Sequence, residues 1–244
     1  MRTIRGFFVE ILDNTKKLSI SGEYYNYFKN VLRLKKNDIV ELFNNLDGIQ
    51  YKTKILNINN KNIDLEVVSS KEIKNENPYN INLYQSLIKN ENFELVIQKA
   101  TELGVNNIYP IITEHTNHKF DKKGFDKKIE RWNKIAISAT EQCGRVFIPK
   151  IYALEVLQDI SINMKALNFA LCPYSETIKN LESQIKSSCE LNIFIGPEGG
   201  FSENEINYFK ENDFSMINLG KRILKAETAP INIMSIINFI KQPF

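Results

Sequence analysis

Cysteine is scarce in this chain of 244 residues: Cys143, Cys172 and Cys189 stand far apart, with no C-x-x-C. An odd, scattered set argues against a disulfide framework and against a structural zinc site. Histidine is rarer still. His115 and His118 are the two, both inside 113-TEHTNHKF-120. A metal site needs more ligands at fixed geometry, so this segment reads as a polar loop after a strand and no metal is expected. No apolar run approaches the roughly 18 residues that cross a bilayer, and Met1-Arg2-Thr3-Ile4-Arg5 offers no signal-peptide core. A cytoplasmic protein is the expectation. Net charge is only +3, and the whole excess falls within residues 1–72, where a polyanion could be gripped.

What is present divides in two. Up to about residue 72 the chain reads as short strands, 38-DIVELF-43, 51-YKTKILNI-58 and 62-NIDLEVV-68, separated by Asn-, Asp- and Gly-containing turns. That spacing suggests a small β-barrel, and the polar run 69-SSKEIKNENP-78 reads as a linker after it. From residue 81 the rhythm becomes strand, helix, strand, helix. Strands are expected at 81–88, 107–112, 150–154, 168–172, 191–195 and 215–220. Phe93, Val96, Ile97, Ala100 and Leu103 recur at helical spacing, as do Ile129, Trp132, Ile135, Ala136, Ala139 and Cys143. The alternation implies an α/β fold, a parallel sheet covered on both faces.

Glycine is also sparse, ten in all, yet three fall in 195-IGPEGGFSENEI-206. Ser202-x-x-Glu205 is a capping box, so a helix should begin near Glu203. Gly-Pro-Glu-Gly-Gly then lies at the carboxyl end of a strand, where ligands sit in such sheets. It is no phosphate cradle: Pro197 removes an N–H donor, no Lys follows, and Glu198 puts a carboxylate where a phosphate would lie. A second strand end, Leu219-Gly220, opens 219-LGKRILKAETAPINIMSIINFI-240. There Thr228 is a plausible helix cap and Pro230 suits the first turn. Lys221, Arg222 and Lys225 are either a solvated charge run or, with Ile223 and Leu224 interleaved, part of a second wall to one pocket. In 138-SATEQCGRVFIPKI-151, Glu141, Gln142 and Arg145 gather at a helix end stopped by Gly144. Arg145 there is balanced between a purely structural and a functional role. In 24-YYNYFKNVLRLKK-36, Tyr24, Tyr25, Tyr27 and Phe28 suit a buried helix face better than base stacking, whereas Lys29, Arg33, Lys35 and Lys36 suit an RNA surface.

The string GPEGGFSENE followed by LGKRILKAETAP resembles the RsmE family of ribosomal RNA methyltransferases, in the SPOUT superfamily. The resemblance runs almost the whole chain, through Arg-Gly-Phe-Phe-Val at its start, Val31-Leu32-Arg33, Gln98 to Gly104 and Glu141 to Arg145. It implies a PUA-like RNA-binding β-barrel over 1–72 and a SPOUT α/β methyltransferase domain over 73–244. It further implies a C-terminal trefoil knot at about 168–240, an exception to the rule that chains avoid knots. The family's activity would make this a homodimer that methylates N3 of a uridine in 16S rRNA of the small ribosomal subunit, using S-adenosylmethionine. Cofactor contacts would fall on Leu171, Cys172, Pro173, Ile195, Gly196, Pro197, Glu198, Gly199, Gly200, Leu219, Gly220, Ile223, Leu224, Glu227, Thr228 and Ala229. Arg222, Glu198 and Arg145 are the catalytic candidates. Arg2, Arg5, Lys29, Arg33, Gln142, Arg145 and Lys225 are the candidates for RNA contact. The family's usual Arg-Thr before Glu-Thr-Ala stands here as Lys225-Ala226. Two other readings share these features: an RNA-binding protein without catalysis, and a SPOUT methyltransferase acting on a different RNA.

Overall fold

The computed structural model describes residues 4–11, 16–116, 122–175 and 181–241, with the backbone alone at Lys122 and Lys123. It forms two compact units, Met1–Glu76 with Thr140–Ile148, and Asn77–Ala139 with Pro149–Phe244. No helix among the described residues is long and apolar enough to cross a membrane.

The first unit holds β1 (Ile4–Phe7), β2 (Lys17–Ser21), α1 (Gly22–Asn26), β3 (Ile39–Phe43), β4 (Ile49–Ile58) and β5 (Asn62–Glu72). They pair in the order β1-β3-β4-β5-β2, so among the described residues the sheet runs open from β1 to β2. Leu18 and Ile20 of β2 are buried while Lys17, Ser19 and Ser21 face solvent, the period of two that a half-buried strand imposes. One π-helical turn, Tyr27–Val31, prolongs α1. From this segment Tyr25 and Phe28 enter the core beside Val40, Leu42, Ile55, Ile63 and Leu65. Lys29, Arg33, Lys35 and Lys36 stay exposed, as the reading of aromatics inside and cations outside anticipates. The linker reading of 69–78 needs correction at its start. Ser69–Glu72 continues β5, with Glu72 opposite Ile49; all four side chains are exposed, so no apolar alternation betrays the strand.

The second unit comprises β6 (Asn80–Ser86), α2 (Asn90–Glu102), β7 (Asn107–Ile112), α3 (Lys122–Cys143), β8 (Lys150–Ile151), β9 (Glu155–Val156) and β10 (Leu167–Leu171), then α4 (Leu181–Ser187), β11 (Glu190–Ile195), α5 (Glu203–Glu211), β12 (Ser215–Ile217) and α6 (Thr228–Lys241). The end of α3 and the loop after it, Thr140–Ile148, group with the first unit. All pairings here are parallel, in the order β12-β10-β11-β6-β7-β8, with β9 beside β7. Two rows of side chains hold the register. Asn107 donates to Asn82, Asn82 to Asn192 and Asn192 to Asn168, each at 2.8 Å. Two residues further along, Tyr152, Tyr109, Tyr84 and Phe194 stack with ring centroids 4.1, 4.4 and 4.2 Å apart. Sliding one strand by a residue would break both rows together. Burial pushes the Tyr84 phenol up to about 12.

The order also positions the site. The chain builds outward from β6 through β7 and β8, then returns to lay β10 on the far side and inserts β11 between β10 and β6. The loops after β10, β11 and β12 therefore meet at one carboxyl edge, where open α/β sheets bind ligands.

Candidate active site

The wall after β11 is shaped by its glycines. Gly196 and Pro197 are buried, Glu198 and Gly199 exposed. Gly200 has φ +72°, and its N–H closes a turn on Pro197 O at 2.9 Å. A Cβ on Gly196 would lie 3.2 Å from Gly200 C and Phe201 N, so the loop folds back on itself only without a side chain there. Ser202 then caps α5. Its Oγ accepts from Glu205 N at 3.2 Å, and its own N–H donates to Glu205 Oε2 at 2.8 Å, which is the capping box expected at this position.

The loops after β10 and β12 are tied to each other. Cys172 N donates to Ile217 O at 2.9 Å. Asn218 Nδ2 donates to Pro173 O at 2.8 Å and Ser175 O at 3.2 Å, and Asn218 Oδ1 accepts from Gly220 N at 2.9 Å. Beyond Gly220, Arg222 and Ile223 are exposed while Ala226 and Glu227 are buried. Lys225 Nζ stands 3.8 Å from Glu227 Oε1. Pro230 falls in the first turn of α6 as expected, but Thr228 is the first residue of that helix, not its cap.

These loops enclose a cavity of about 550 Å³, within the range of small-molecule sites. Of the residues nominated from sequence for cofactor contact, Leu171, Cys172, Pro173, Ile195 to Gly200, Leu219, Ile223, Leu224, Glu227 and Ala229 line it; so do Arg222 and Lys225. Gly220 and Thr228 do not. Lining residues that the sequence did not single out include Lys89 and Asn92, at the start of α2, and Tyr174, Phe201 and Asn218. Lys89 and Asn92 carry no local signal. They reach the pocket because β6 lies next to β11, and strand order cannot be read from the spacing of strands along the chain.

Arg145 is not among the residues that line this cavity. It belongs to the first unit, its side chain is 6% exposed, and it pairs with Glu76 through Nη2 at 2.7 Å and Nε at 3.0 Å. Removing one partner of such a buried pair typically costs about 3–5 kcal/mol. Arg145→Ala is accordingly expected to lower the urea midpoint strongly; a variant as stable as wild type and yet inactive would return Arg145 to the catalytic group. Neighbouring Glu141 is likewise internal. Its carboxylate accepts from Phe7 N at 2.9 Å and from the Tyr27 hydroxyl. Burial raises its pKa against these two donors, and burial together with the same contact raises that of Tyr27.

Gln142 is exposed. Arg5 stands 3.4 Å from Glu41 and packs its guanidinium over Gly144, whose Cβ would meet Arg5 Cζ at 3.3 Å. Lys29 lies over the Tyr25 ring at 4.9 Å, and Arg33 is exposed with φ 55°. Arg2 and His118 lie outside the described residues.

A sheet unit bearing exposed cations precedes in the chain a parallel-sheet unit with a glycine-walled pocket at its carboxyl edge, and two family models match these two parts of the sequence. A family model described as "RNA methyltransferase PUA domain" matches residues 20–68, and one described as "RNA methyltransferase domain" matches residues 75–238. The chain belongs to the ribosomal RNA small subunit methyltransferase E family, RsmE. It is 41% identical over 219 residues to the ribosomal RNA small subunit methyltransferase E of Buchnera aphidicola subsp. Schizaphis graminum, covering 88% of this chain and 87% of that one. A Legionella pneumophila methyltransferase solved in complex with SAM superposes with a TM-score of 0.88 at 33% identity, covering 98% of each chain. The Neisseria gonorrhoeae ribosomal RNA small subunit methyltransferase E, solved bound to S-adenosylmethionine, gives 0.88 at 26% identity, again over 98% of each.

Proposed function

We propose that this chain transfers a methyl group from S-adenosylmethionine to N3 of a uridine in 16S rRNA of the small ribosomal subunit. The observation that carries the reading is the pocket walled by Gly196–Phe201, Leu219 and the residues from Arg222 to Glu227. Its residues suit the cofactor. Gly196 lets the loop fold back against the backbone of Gly200 and Phe201, which fixes the main chain of this wall where a flat purine edge could meet it. Leu171, Ile195 and Leu224 offer apolar faces, and the carboxylates of Glu198 and Glu227 stand in the lining to balance a cationic ligand. Relatives solved with this cofactor add support.

When bound, S-adenosylmethionine supplies a methyl group already activated on a sulfonium, so the chain's task is to position and to manage one proton. Uridine N3 must lose that proton for attack. Arg222 is the cation we place beside the uracil carbonyl oxygens, where it would stabilise the developing negative charge. It lines the pocket and is exposed to an incoming base, whereas Arg145 is held by Glu76. Glu198, exposed on the opposite loop, is the candidate to accept the proton. Arg5, Lys29, Arg33, Gln142 and Lys225 are proposed to contact the RNA backbone.

The reading includes a homodimer and a trefoil knot over about 168–240. Phe239 and Ile236 of α6 are 72% and 37% exposed and three residues apart, hence on one helix face; a second copy would cover them. The insertion of β11 between strands already laid is the kind of path a knot follows. Incubation with labelled S-adenosylmethionine and small-subunit rRNA lacking the modification should move label onto the RNA. Folded protein that binds cofactor yet labels no RNA would overturn the proposal.

A further inference from the structure

The pocket wall has an outer side that the transfer reaction leaves unused. Gly199 and Gly200 are its most pliant residues, and the turn they make is closed by the backbone bond from Gly200 N to Pro197 O. The loop after β7, Thr113–Thr116, reaches this turn without lining the cavity. His115 Nδ1 lies 3.3 Å from Gly199 O and 3.2 Å from Gly200 O. Carbonyl oxygens only accept, so Nδ1 carries a proton and shares it between the two. The contact is close: a Cβ on Gly199 would lie 3.2 Å from His115 Cβ.

The same loop is anchored beside that contact. Glu114 N donates to Glu205 Oε1 at 2.9 Å, while the other oxygen of this carboxylate takes Ser202 N at 2.8 Å. Glu205 is 2% exposed. It therefore does more than close the capping box; it fastens the loop after β7 to the start of α5. Asn204 Nδ2 adds a bond to Glu114 Oε1 at 3.3 Å, and Thr113 N is held by Thr116 Oγ1 at 3.0 Å. A loop braced in this way can restrain a pliant neighbour.

We infer that His115 is a positioning residue of the cofactor pocket: it holds the carbonyls of Gly199 and Gly200 in place from outside, on a loop that Glu205 anchors. The inference rests on the reading that the pocket binds S-adenosylmethionine. Without the restraint the glycine turn spreads over more conformations, and binding must then order it, which weakens affinity without touching the reacting atoms. Because His115 is exposed, its loss should leave the core intact.

Calorimetric titration of S-adenosylmethionine into wild type, His115→Ala and His115→Asn tests this, alongside KM, kcat and the thermal midpoint. Asparagine carries an N–H donor one bond beyond Cγ, where histidine carries Nδ1. His115→Ala should raise Kd and KM for the cofactor by about 2- to 12-fold, the worth of one net hydrogen bond. Its kcat at saturating cofactor should stay within about twofold of wild type, as a loss of binding alone requires, and the midpoint should not move. His115→Asn should recover most of the affinity. A His115→Ala protein with wild-type Kd, or a His115→Asn protein as weak as His115→Ala, overturns the inference while leaving the pocket reading intact. A wild-type chain that binds no S-adenosylmethionine overturns both.

Discussion

Gly196→Val is expected to raise the dissociation constant for S-adenosylmethionine by about 100-fold, with the protein still folded. The reason is what the new side chain would strike. Its Cβ would lie 3.2 Å from Gly200 C and Phe201 N, and these are backbone atoms that cannot swing aside as a flexible side chain can. The two further methyl groups of valine worsen the contact. The turn must open, and Glu198 to Gly200 move with it. Relief of this kind costs about 1–3 kcal/mol, and the displacement falls on the pocket wall instead of the sheet core. Gly220→Val is the informative contrast. Gly220 has φ +113° with open space around its Cβ, and it lies outside the pocket lining. That substitution should strain the backbone and lower stability more than it lowers affinity. Calorimetry on both variants separates the cases, and wild-type affinity in Gly196→Val would show that this turn is no part of the binding wall.

Arg222→Ala should lower the single-turnover rate of methyl transfer by about 10²–10³-fold, the usual consequence of removing a group that stabilises charge in the transition state. The side chain is exposed, so the thermal midpoint should stay at its wild-type value. Cofactor affinity should change little, because the charge that Arg222 is proposed to meet develops on the uracil and not on the ligand already bound. A variant with unchanged rate would remove Arg222 from the mechanism. One that loses rate only in proportion to cofactor affinity would make it a binding residue instead.

Local chemistry was legible in the sequence. The Ser202–Glu205 box, Pro230 in a first helical turn and the glycine loop at a strand end are each set by residues within five positions of one another, and the structure has them there. The cofactor contacts were nominated by the family resemblance instead, and most of those residues line the cavity. Relations between distant segments were not legible. Lys89 and Asn92 join the lining because β6 neighbours β11, which no spacing along the chain encodes. Arg145 shows the same limit: a cation at a helix end looks alike whatever it meets, and its carboxylate partner Glu76 lies 69 residues earlier. Ser69–Glu72 was missed as strand because its side chains all face water, leaving backbone pairing as the only cause of its extension. His115 reads alone as a polar loop residue, and only the fold brings it to the carbonyls of Gly199 and Gly200.

The measurement that bears most directly on the function proposed here is nucleoside mapping of the RNA product. Small-subunit RNA lacking the modification would be incubated with this protein and S-adenosylmethionine, then digested and analysed by mass spectrometry, with the site located by primer extension. The proposed transfer yields 3-methyluridine at a single position of 16S rRNA. A methyl group on another atom or another RNA, or no methylated nucleoside at all, would contradict it.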